Sequence, residues 1–326
     1  MSGPNGAVLA EDLAKTYKGG VRAVDGLSFS VAPGSVFALL GPNGAGKTTT
    51  VRILTTLSRA DRGRAMVAGV DVGRQPARAR TLIGTTAQHS GAVAQLTGQE
   101  NLVMQGRLYG MGGKDLRRRV ASLLDEFGLA EAAGRQARTY SGGMKRRLDI
   151  ATALVHRPAV LFLDEPTTGL DPEGRAALWD VVTGLAGQAG TTVIVTTHYL
   201  EEADQFAARV AIVDRGRVVA EGSPEELKAG LHGDSVLLGL GNPERAKQAA
   251  KTLAAVTEVG DITLDGAEVR ARVMADAARA LPAVLAALEP SGVPVLSVTV
   301  ARPSLDDVYL HHAGHSFRQA EGIDLS

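Results

Sequence analysis

The stretch that decides the fold is Gly41-Pro42-Asn43-Gly44-Ala45-Gly46-Lys47-Thr48, which follows the apolar run Ser-Val-Phe-Ala-Leu-Leu at 35–40. The run predicts a buried strand, and a helical pattern begins near Lys47. Small residues between a strand and a helix let successive backbone N–H groups point at a phosphate, and the helix N-terminus adds its dipole. The stretch therefore matches the phosphate-binding loop (P-loop) in the structural context that this motif requires.

The last residues of this loop carry specific chemistry. Lys47 supplies a positive charge to the β- and γ-phosphates of a nucleotide, and Thr48 offers a hydroxyl oxygen to Mg²⁺. We assign the nucleotide phosphates to the eight residues of the loop and to the adjoining Thr49. A P-loop alone is found in kinases, GTPases and motors as well, so further motifs are needed to narrow the class.

An acidic pair follows a second predicted buried strand, Val-Leu-Phe-Leu-Asp at 160–164. Asp164, at the end of this strand, is placed to hold Mg²⁺. Glu165 is placed to polarise an attacking water, which favours hydrolysis over phosphoryl transfer to an organic acceptor. The segment continues as Pro-Thr-Thr-Gly-Leu and reaches Asp171.

A second Gly-rich helix start is Tyr140-Ser141-Gly142-Gly143-Met144-Lys145-Arg146-Arg147. Ser141 is a typical helix N-cap, and a Gly-rich helix N-terminus is itself an anion site. The chain already has one phosphate site at the P-loop. A second site far along the chain makes sense if it serves a nucleotide that another copy binds.

These motifs, with His198 after a third predicted strand at 192–197, resemble in order and spacing the nucleotide-binding domains of ABC transporters. The resemblance covers about 8–227. It implies a homodimer in which ATP and Mg²⁺ lie between the P-loop of one copy and Ser141, Gly142 and Gly143 of the other.

The same resemblance assigns four further roles. It implies that Tyr17 stacks on adenine. The alternative, a tyrosine at the end of a strand with no role in ligand binding, stays open. It implies that Gln88 senses Mg²⁺ and the membrane partner, that His198 contacts the γ-phosphate, and that Asp171 crosses the dimer interface. The register of Gln88 depends on an altered preceding stretch, Thr85-Thr86-Ala87.

A narrower resemblance is carried by the segments 140–151, 196–204 and 303–310, which are similar to drug-resistance exporter ATPases of the daunorubicin type. It implies a separately encoded integral membrane permease, drug or antibiotic efflux, and a peripheral position on the cytoplasmic face of the cell membrane. Lipid and polysaccharide exporters use related ATPases and stay open as alternatives. A soluble, non-transport ABC ATPase is disfavoured, because the chain has one P-loop and only a short helical insertion.

Alternating strands and helices in the first part predict an α/β fold with a parallel sheet. We expect a P-loop NTPase domain at 1–228, with an antiparallel β subdomain and an inserted helical subdomain at about 98–138. Residues 229–326 read as β-α-β-β-α-β, the ferredoxin-like pattern, with a last strand at 293–300. A following helix carries an apolar stripe, Leu305, Val308 and Tyr309, which either docks to a partner or closes the small domain's own core.

Composition limits the function further. Among the 326 residues, Lys+Arg and Asp+Glu both number 35, so no excess positive charge favours nucleic acid as a partner. Cysteine is absent, which excludes disulfides and thiolate metal sites. The start of the chain does not resemble a signal peptide. The segment 181–200 has no Asp, Glu, Lys or Arg, but its glycines and threonines predict helix, turn and strand rather than a membrane span.

Overall fold

The structure, a computed structural model, describes residues 6–86, 91–187, 190–231, 233–257, 259–273, 277–315 and 317–320. The chain divides after Glu221 into two compact units. The predicted site residue Gln88 lies outside the described residues.

The strands described in the first unit are β1 (Val8–Thr16), β2 (Arg22–Val31), β3 (Val36–Leu40), β4 (Arg62–Val67), β5 (Val70–Asp71), β6 (Ile83–Thr86), β7 (Val160–Asp164), β8 (Thr192–Thr197), β9 (Arg209–Asp214) and β10 (Arg217–Gly222). Its helices are α1 (Lys47–Leu54), α2 (Pro76–Leu82), α3 (Gly98–Leu108), α4 (Gly113–Glu126), α5 (Gly142–Leu154), α6 (Pro172–Gly187) and α7 (Leu200–Phe206), with a 3₁₀ turn at Ala137–Thr139.

The central sheet has the order β10-β9-β3-β8-β7-β6, and β9, β3, β8, β7 and β6 run parallel to their neighbours in that list. Every residue of β3, β7 and β8 is buried, as expected for parallel strands that are covered on both faces. Leu40 lies opposite Thr197, and Asp164 lies opposite Thr196. The carboxyl ends of β3, β8 and β7 therefore meet at one edge, which confirms the predicted parallel core.

A second, antiparallel sheet has the order β2-β1-β4-β5 and confirms the predicted β subdomain. Its inner face shares a core with the central sheet, where Phe29 stacks on Phe37 with ring centroids 5.2 Å apart. This core also includes the buried face of α1, so the helix that begins at the P-loop is held between the two sheets.

The helical insertion consists of α3, α4 and the 3₁₀ turn, followed by α5. Thr97 and Glu100 form a capping box at the start of α3, and the Ser141 hydroxyl accepts the Met144 amide at the start of α5. Leu102, Leu123 and Leu148 bury the facing sides of the three helices in one core. The fold therefore contains the predicted inserted helical subdomain.

The second unit contains α8 (Pro224–Ala229), β11 (Asp234–Gly239), α9 (Pro243–Leu253), β12 (Val259–Asp265), β13 (Glu268–Val273), α10 (Ala277–Leu288), a 3₁₀ turn (Glu289–Ser291), β14 (Ser297–Ala301), α11 (Leu305–Ala313) and α12 (Phe317–Ala320). The sheet order is β12-β13-β11-β14, all antiparallel, with α9 and α10 on the core side. This is the predicted ferredoxin-like arrangement.

Two sequence-based details of this unit are corrected or settled. The last strand begins at Ser297 and not at Val293, because Gly292 is left-handed and Pro294 has no N–H for a strand ladder. Leu305, Val308 and Tyr309 are buried, and Tyr309 contacts Phe317 edge-on. Helix α11 packs against α8 and α12 of the same unit, and its apolar stripe is not part of the core that the sheet forms with α9 and α10.

Among the described helices, none combines the length and the apolar character that crossing a bilayer requires.

Candidate nucleotide site

Three loops meet at the carboxyl edge of the central sheet. The P-loop follows β3, the acidic pair ends β7, and His198 follows β8. In an open α/β sheet, ligands bind at this edge. The order of the strands therefore brings the P-loop together with two groups that lie more than a hundred residues further along the chain.

The P-loop is packed closely against its own chain. Gly46 has a left-handed φ of 104°, and a Cβ at this position would lie 2.2 Å from the Ala23 carbonyl oxygen. Lys47 is almost fully buried, and its ammonium donates to the carbonyl oxygens of Gly41 and Pro42 at 2.5 and 3.0 Å. Only a residue without a side chain fits at position 46, and the loop encloses the Lys47 ammonium among its backbone carbonyls.

The predicted Mg²⁺ ligands lie side by side. The Thr48 hydroxyl donates to Asp164 Oδ1 at 3.2 Å, and the Thr196 hydroxyl donates to the same oxygen at 2.5 Å. Asp164 is buried at the end of β7. A hydroxyl and a carboxylate oxygen are hard ligands of the kind that Mg²⁺ takes beside substrate phosphates, so these residues fit the metal.

Glu165 is held in a constrained backbone conformation with φ of 46°, unusual for a residue with a side chain. Its amide donates to the Thr196 hydroxyl at 2.9 Å and to the Thr196 carbonyl at 3.2 Å. Its carboxylate lies 3.5 Å from His198 Nδ1 and 3.9 Å from Lys47 Nζ. The carboxylate thus lies between two groups predicted to contact the γ-phosphate.

Tyr17 lies in the turn between β1 and β2, and its side chain is 38% exposed. Its amide donates to the Val21 carbonyl, which closes the turn. The β2 strand then brings Ala23 against Gly46. An exposed aromatic ring therefore stands on the hairpin that borders the P-loop, as stacking on a base requires.

Ser141, Gly142 and Gly143 lie at the start of α5 in a different environment. Ser141 and Gly142 are exposed, and a Cβ added to either glycine would meet no atom within 4 Å. Asp171 is also exposed, and its carboxylate accepts the Gly174 amide at the start of α6. The residues assigned to the dimer interface are thus available to a second molecule.

A buried cluster near the site was not anticipated. Glu202 accepts hydrogen bonds from the hydroxyls of Thr167 and Thr197 at 2.9 and 3.1 Å. It links the segment after Glu165 to the strand end before His198. Two threonines and a glutamate have no distinctive spacing, so the sequence offered no signal for this contact.

Two family models and several curated relatives match this chain. A family model described as "ABC transporter" matches residues 24–168, and a model described as "ATP-binding protein DrrA1-3-like, C-terminal domain" matches residues 222–313. The chain is 46% identical to the daunorubicin resistance ATP-binding protein DrrA2 of Streptomyces coeruleorubidus, covering 98% of this chain and 99% of the relative. It is 36% identical to the linearmycin resistance ATP-binding protein LnrL of Bacillus subtilis, covering 95% and 99%.

Solved structures show the same fold for the first unit. The dimeric post-hydrolysis structure of the ATP-binding cassette MJ0796, bound to ADP and Pi, aligns with a TM-score of 0.61 and 26% identity over 66% of this chain and 98% of that chain. CbiO1 of Clostridium perfringens, part of the ABC transporter complex CbiONQ, aligns with a TM-score of 0.64 and 27% identity over 69% and 91%.

Proposed function

Because the chain belongs to the ATP-binding proteins of ABC transporters of the daunorubicin-resistance type, we propose that it forms a homodimer around two MgATP and drives a separately encoded membrane permease that exports a drug. Its ATPase activity follows from the family and from its cassette-like structure. The homodimer, the permease, the cargo and the residue roles are the proposal.

The observation that supports the dimer is the contrast between a closely packed P-loop and an exposed second anion-binding helix start in one chain. An exposed, glycine-rich helix start suits a phosphate that another copy brings to it. The solved cassette MJ0796, which is similar to this chain, is described as dimeric and bound to ADP and Pi. Gly142, Gly143 and Asp171 would then complete the site from the opposite side.

Hydrolysis uses the groups at the carboxyl edge of the sheet. Thr48 and Asp164 would hold Mg²⁺, which neutralises charge on the β- and γ-phosphates when bound. The amides of the P-loop and Lys47 bind the phosphate oxygens. Glu165 orients a water and accepts its proton as the oxygen attacks the γ-phosphorus and the bond to the β-phosphate oxygen breaks. His198, beside Glu165, donates to the γ-phosphate.

The cargo proposal rests on similarity that extends through the second unit. Daunorubicin-resistance relatives cover nearly the whole chain, and the family model of the second unit is theirs as well. Nod factor export ATP-binding protein I of Paraburkholderia xenovorans is 40% identical over 80% of this chain, which keeps a different cargo as the second candidate. The second unit contains none of the assigned ATP-handling residues, and we assign it a regulatory or dimer-stabilising role.

Drug export is tested by expressing the chain with the membrane protein encoded beside it in a drug-sensitive host. We expect lower intracellular accumulation of a fluorescent drug such as daunorubicin, and loss of this effect in Glu165→Gln. Unchanged accumulation and sensitivity across a panel of antibiotics would contradict drug export, and a Glu165-dependent change in exported lipids or polysaccharides would favour the second candidate.

A further inference from the structure

Helix α5 joins the two regions of the proposed site through one buried side chain. The helix begins beside Ser141, and Arg146 follows after about 7.5 Å of helix axis. The Arg146 side chain is buried. It turns away from the exposed helix start and toward the end of β7.

The guanidinium of Arg146 binds both carbonyls that flank Glu165. Its Nη2 donates to the Asp164 carbonyl at 3.0 Å, and its Nε donates to the Pro166 carbonyl at 2.9 Å. A planar guanidinium donates in a fixed fork, so two such bonds fix position and orientation together. The backbone between the two carbonyls contains all of Glu165 and the N and Cα atoms of Pro166.

This contact matters because the backbone of Glu165 is in the left-handed region. Such a conformation persists only where the surroundings determine it from several sides. Thr196 holds the Glu165 amide from the side of β8. Arg146 holds the carbonyls before and after it from the side of α5.

The charge of Arg146 is balanced locally. Burial lowers the pKa of this guanidinium, and the carboxylates of Asp149 and Asp164 act in the opposite direction. Asp149 in turn accepts the amides of Gly91 and Ala92 at 3.1 and 3.2 Å. Arginine stays protonated in proteins, so the site contains a permanent buried cation at the base of the Glu165 segment.

We propose that Arg146 is a positioning residue that fixes Glu165 from helix α5, the helix whose first residues face the nucleotide of the other copy. The part of this inference that concerns the other copy rests on the proposed ATP-dependent dimer. Within one chain, the position of the proposed general base Glu165 then depends on the position of α5. A displacement of Glu165 by about 1 Å is enough to lower a rate by about 100-fold.

The neighbouring arginine supplies a matched control. Arg147 lies on the same helix and also donates to a carbonyl, but its partner is Phe127 in the helical insertion, at 3.0 Å. Arg147→Gln removes the same kind of group and the same charge without touching the Glu165 segment. Arg146→Lys keeps the charge and loses the fork.

The first experiment compares purified full-length Arg146→Gln, Arg146→Lys and Arg147→Gln for ATP affinity, thermal midpoint, kcat and KM. We expect Arg146→Gln to lower kcat by about 10- to 100-fold, with the dissociation constant for ATP and KM within about twofold of the parent. Arg146→Lys should recover part of the rate, and Arg147→Gln should stay within about twofold. Equal kcat in Arg146→Gln and Arg147→Gln would overturn the proposal. A parallel loss of ATP binding and stability in both Arg146 variants would also overturn it, because that result is expected if Arg146 only stabilises the fold.

A second experiment tests whether the effect acts within one chain. Two-tag heterodimers contain one chain with Glu165→Gln, so that the other chain provides the single Glu165. Adding Arg146→Gln to the chain that keeps Glu165 should lower the rate, whereas adding it to the Glu165→Gln chain should not. Equal losses in both arrangements would overturn the proposal. Failure to recover any ATP-dependent heterodimer would refute the proposed dimer instead, and the first experiment would still test Arg146.

Discussion

Two glycine-rich helix starts in this chain differ in how much space surrounds their glycines. At the P-loop, a Cβ on Gly46 would lie 2.2 Å from the Ala23 carbonyl, and one on Gly41 would lie 2.3 Å from the Val213 carbonyl. At the start of α5, a Cβ on Gly142 or Gly143 would meet nothing within 4 Å. The chain itself requires the first pair of glycines. No described atom of the same chain excludes a side chain at the second pair, and the proposal assigns these two glycines to the nucleotide of another copy.

The largest expected effect concerns the side of the proposed site that includes the P-loop and Glu165. Glu165→Gln should lower kcat by about 10²- to 10⁴-fold, because the amide cannot accept the proton of the attacking water. ATP affinity should stay close to that of the parent, since the group acts in the transition state. The measurements are steady-state hydrolysis, calorimetry with ATP, and gel filtration, where we expect an ATP-stabilised dimer. Turnover at the parent rate would remove Glu165 from this role.

Ser141→Arg tests the start of α5, the side of the proposed site that faces the nucleotide of the other copy. The exposed position accommodates the side chain in a single copy, so ATP binding by the monomer should persist. Hydrolysis should fall by about 100-fold or more, because a bulky cation obstructs the nucleotide of the opposing copy. Mixing it with Lys47→Ala, which loses a charged contact to the phosphates, should restore at most one competent site per heterodimer. Full activity of Ser141→Arg alone would contradict the proposed sandwich.

A pair of alanine substitutions sharpens the comparison at the level of stability. Gly46→Ala should destabilise the chain by about 1–3 kcal/mol or more, since it combines a left-handed backbone with a clash against a carbonyl. Gly142→Ala should change stability by less than about 0.5 kcal/mol. Denaturant unfolding of the two variants measures the difference. Similar losses in both would mean that α5 is constrained by its own chain after all.

The smallest expected effect concerns the second unit. A chain that ends after Gly222 keeps β10 and all of the assigned ATP-handling residues. We expect a folded protein whose ATP affinity is within about twofold of the parent, with altered dimerisation or coupling to the permease. Circular dichroism and calorimetry check this. A folded truncation that no longer binds ATP would show that the second unit is part of the nucleotide site.

Most of the catalytic edge could be predicted because its signals are local. A buried apolar run followed by small residues and Lys47 determines a strand, a turn and a helix start without reference to the rest of the chain. The strand that ends at Asp164 and the strand before His198 have the bounds that the sequence predicted. Parallel pairing then brings their ends together, which is a general consequence of the fold class.

The contacts that support this edge could not be predicted, because they depend on which side chains reach across between elements. Arg146 was visible only as one of three consecutive basic residues, and Glu202 only as one of two adjacent acids on a short helix. These two residues differ from their neighbours in their burial and in their hydrogen-bond partners. No periodic pattern in the sequence indicates either property. The late start of β14 has a local cause, Pro294, that the apolar run around it concealed. The role of Gln88 stays a prediction, since it lies outside the described residues.

The ammonium of Lys47 has a consequence for how nucleotide enters. Because the carbonyls of Gly41 and Pro42 already solvate this cation, arrival of a phosphate is an exchange of oxygen partners and not the capture of an ion by a bare charge. The enthalpy of the new contacts is then partly cancelled by the contacts given up. A nucleotide phosphate would recover this loss through the backbone amides of the P-loop. The affinity of the loop for a phosphate is therefore the difference between the new contacts of Lys47 and the carbonyl contacts that it gives up.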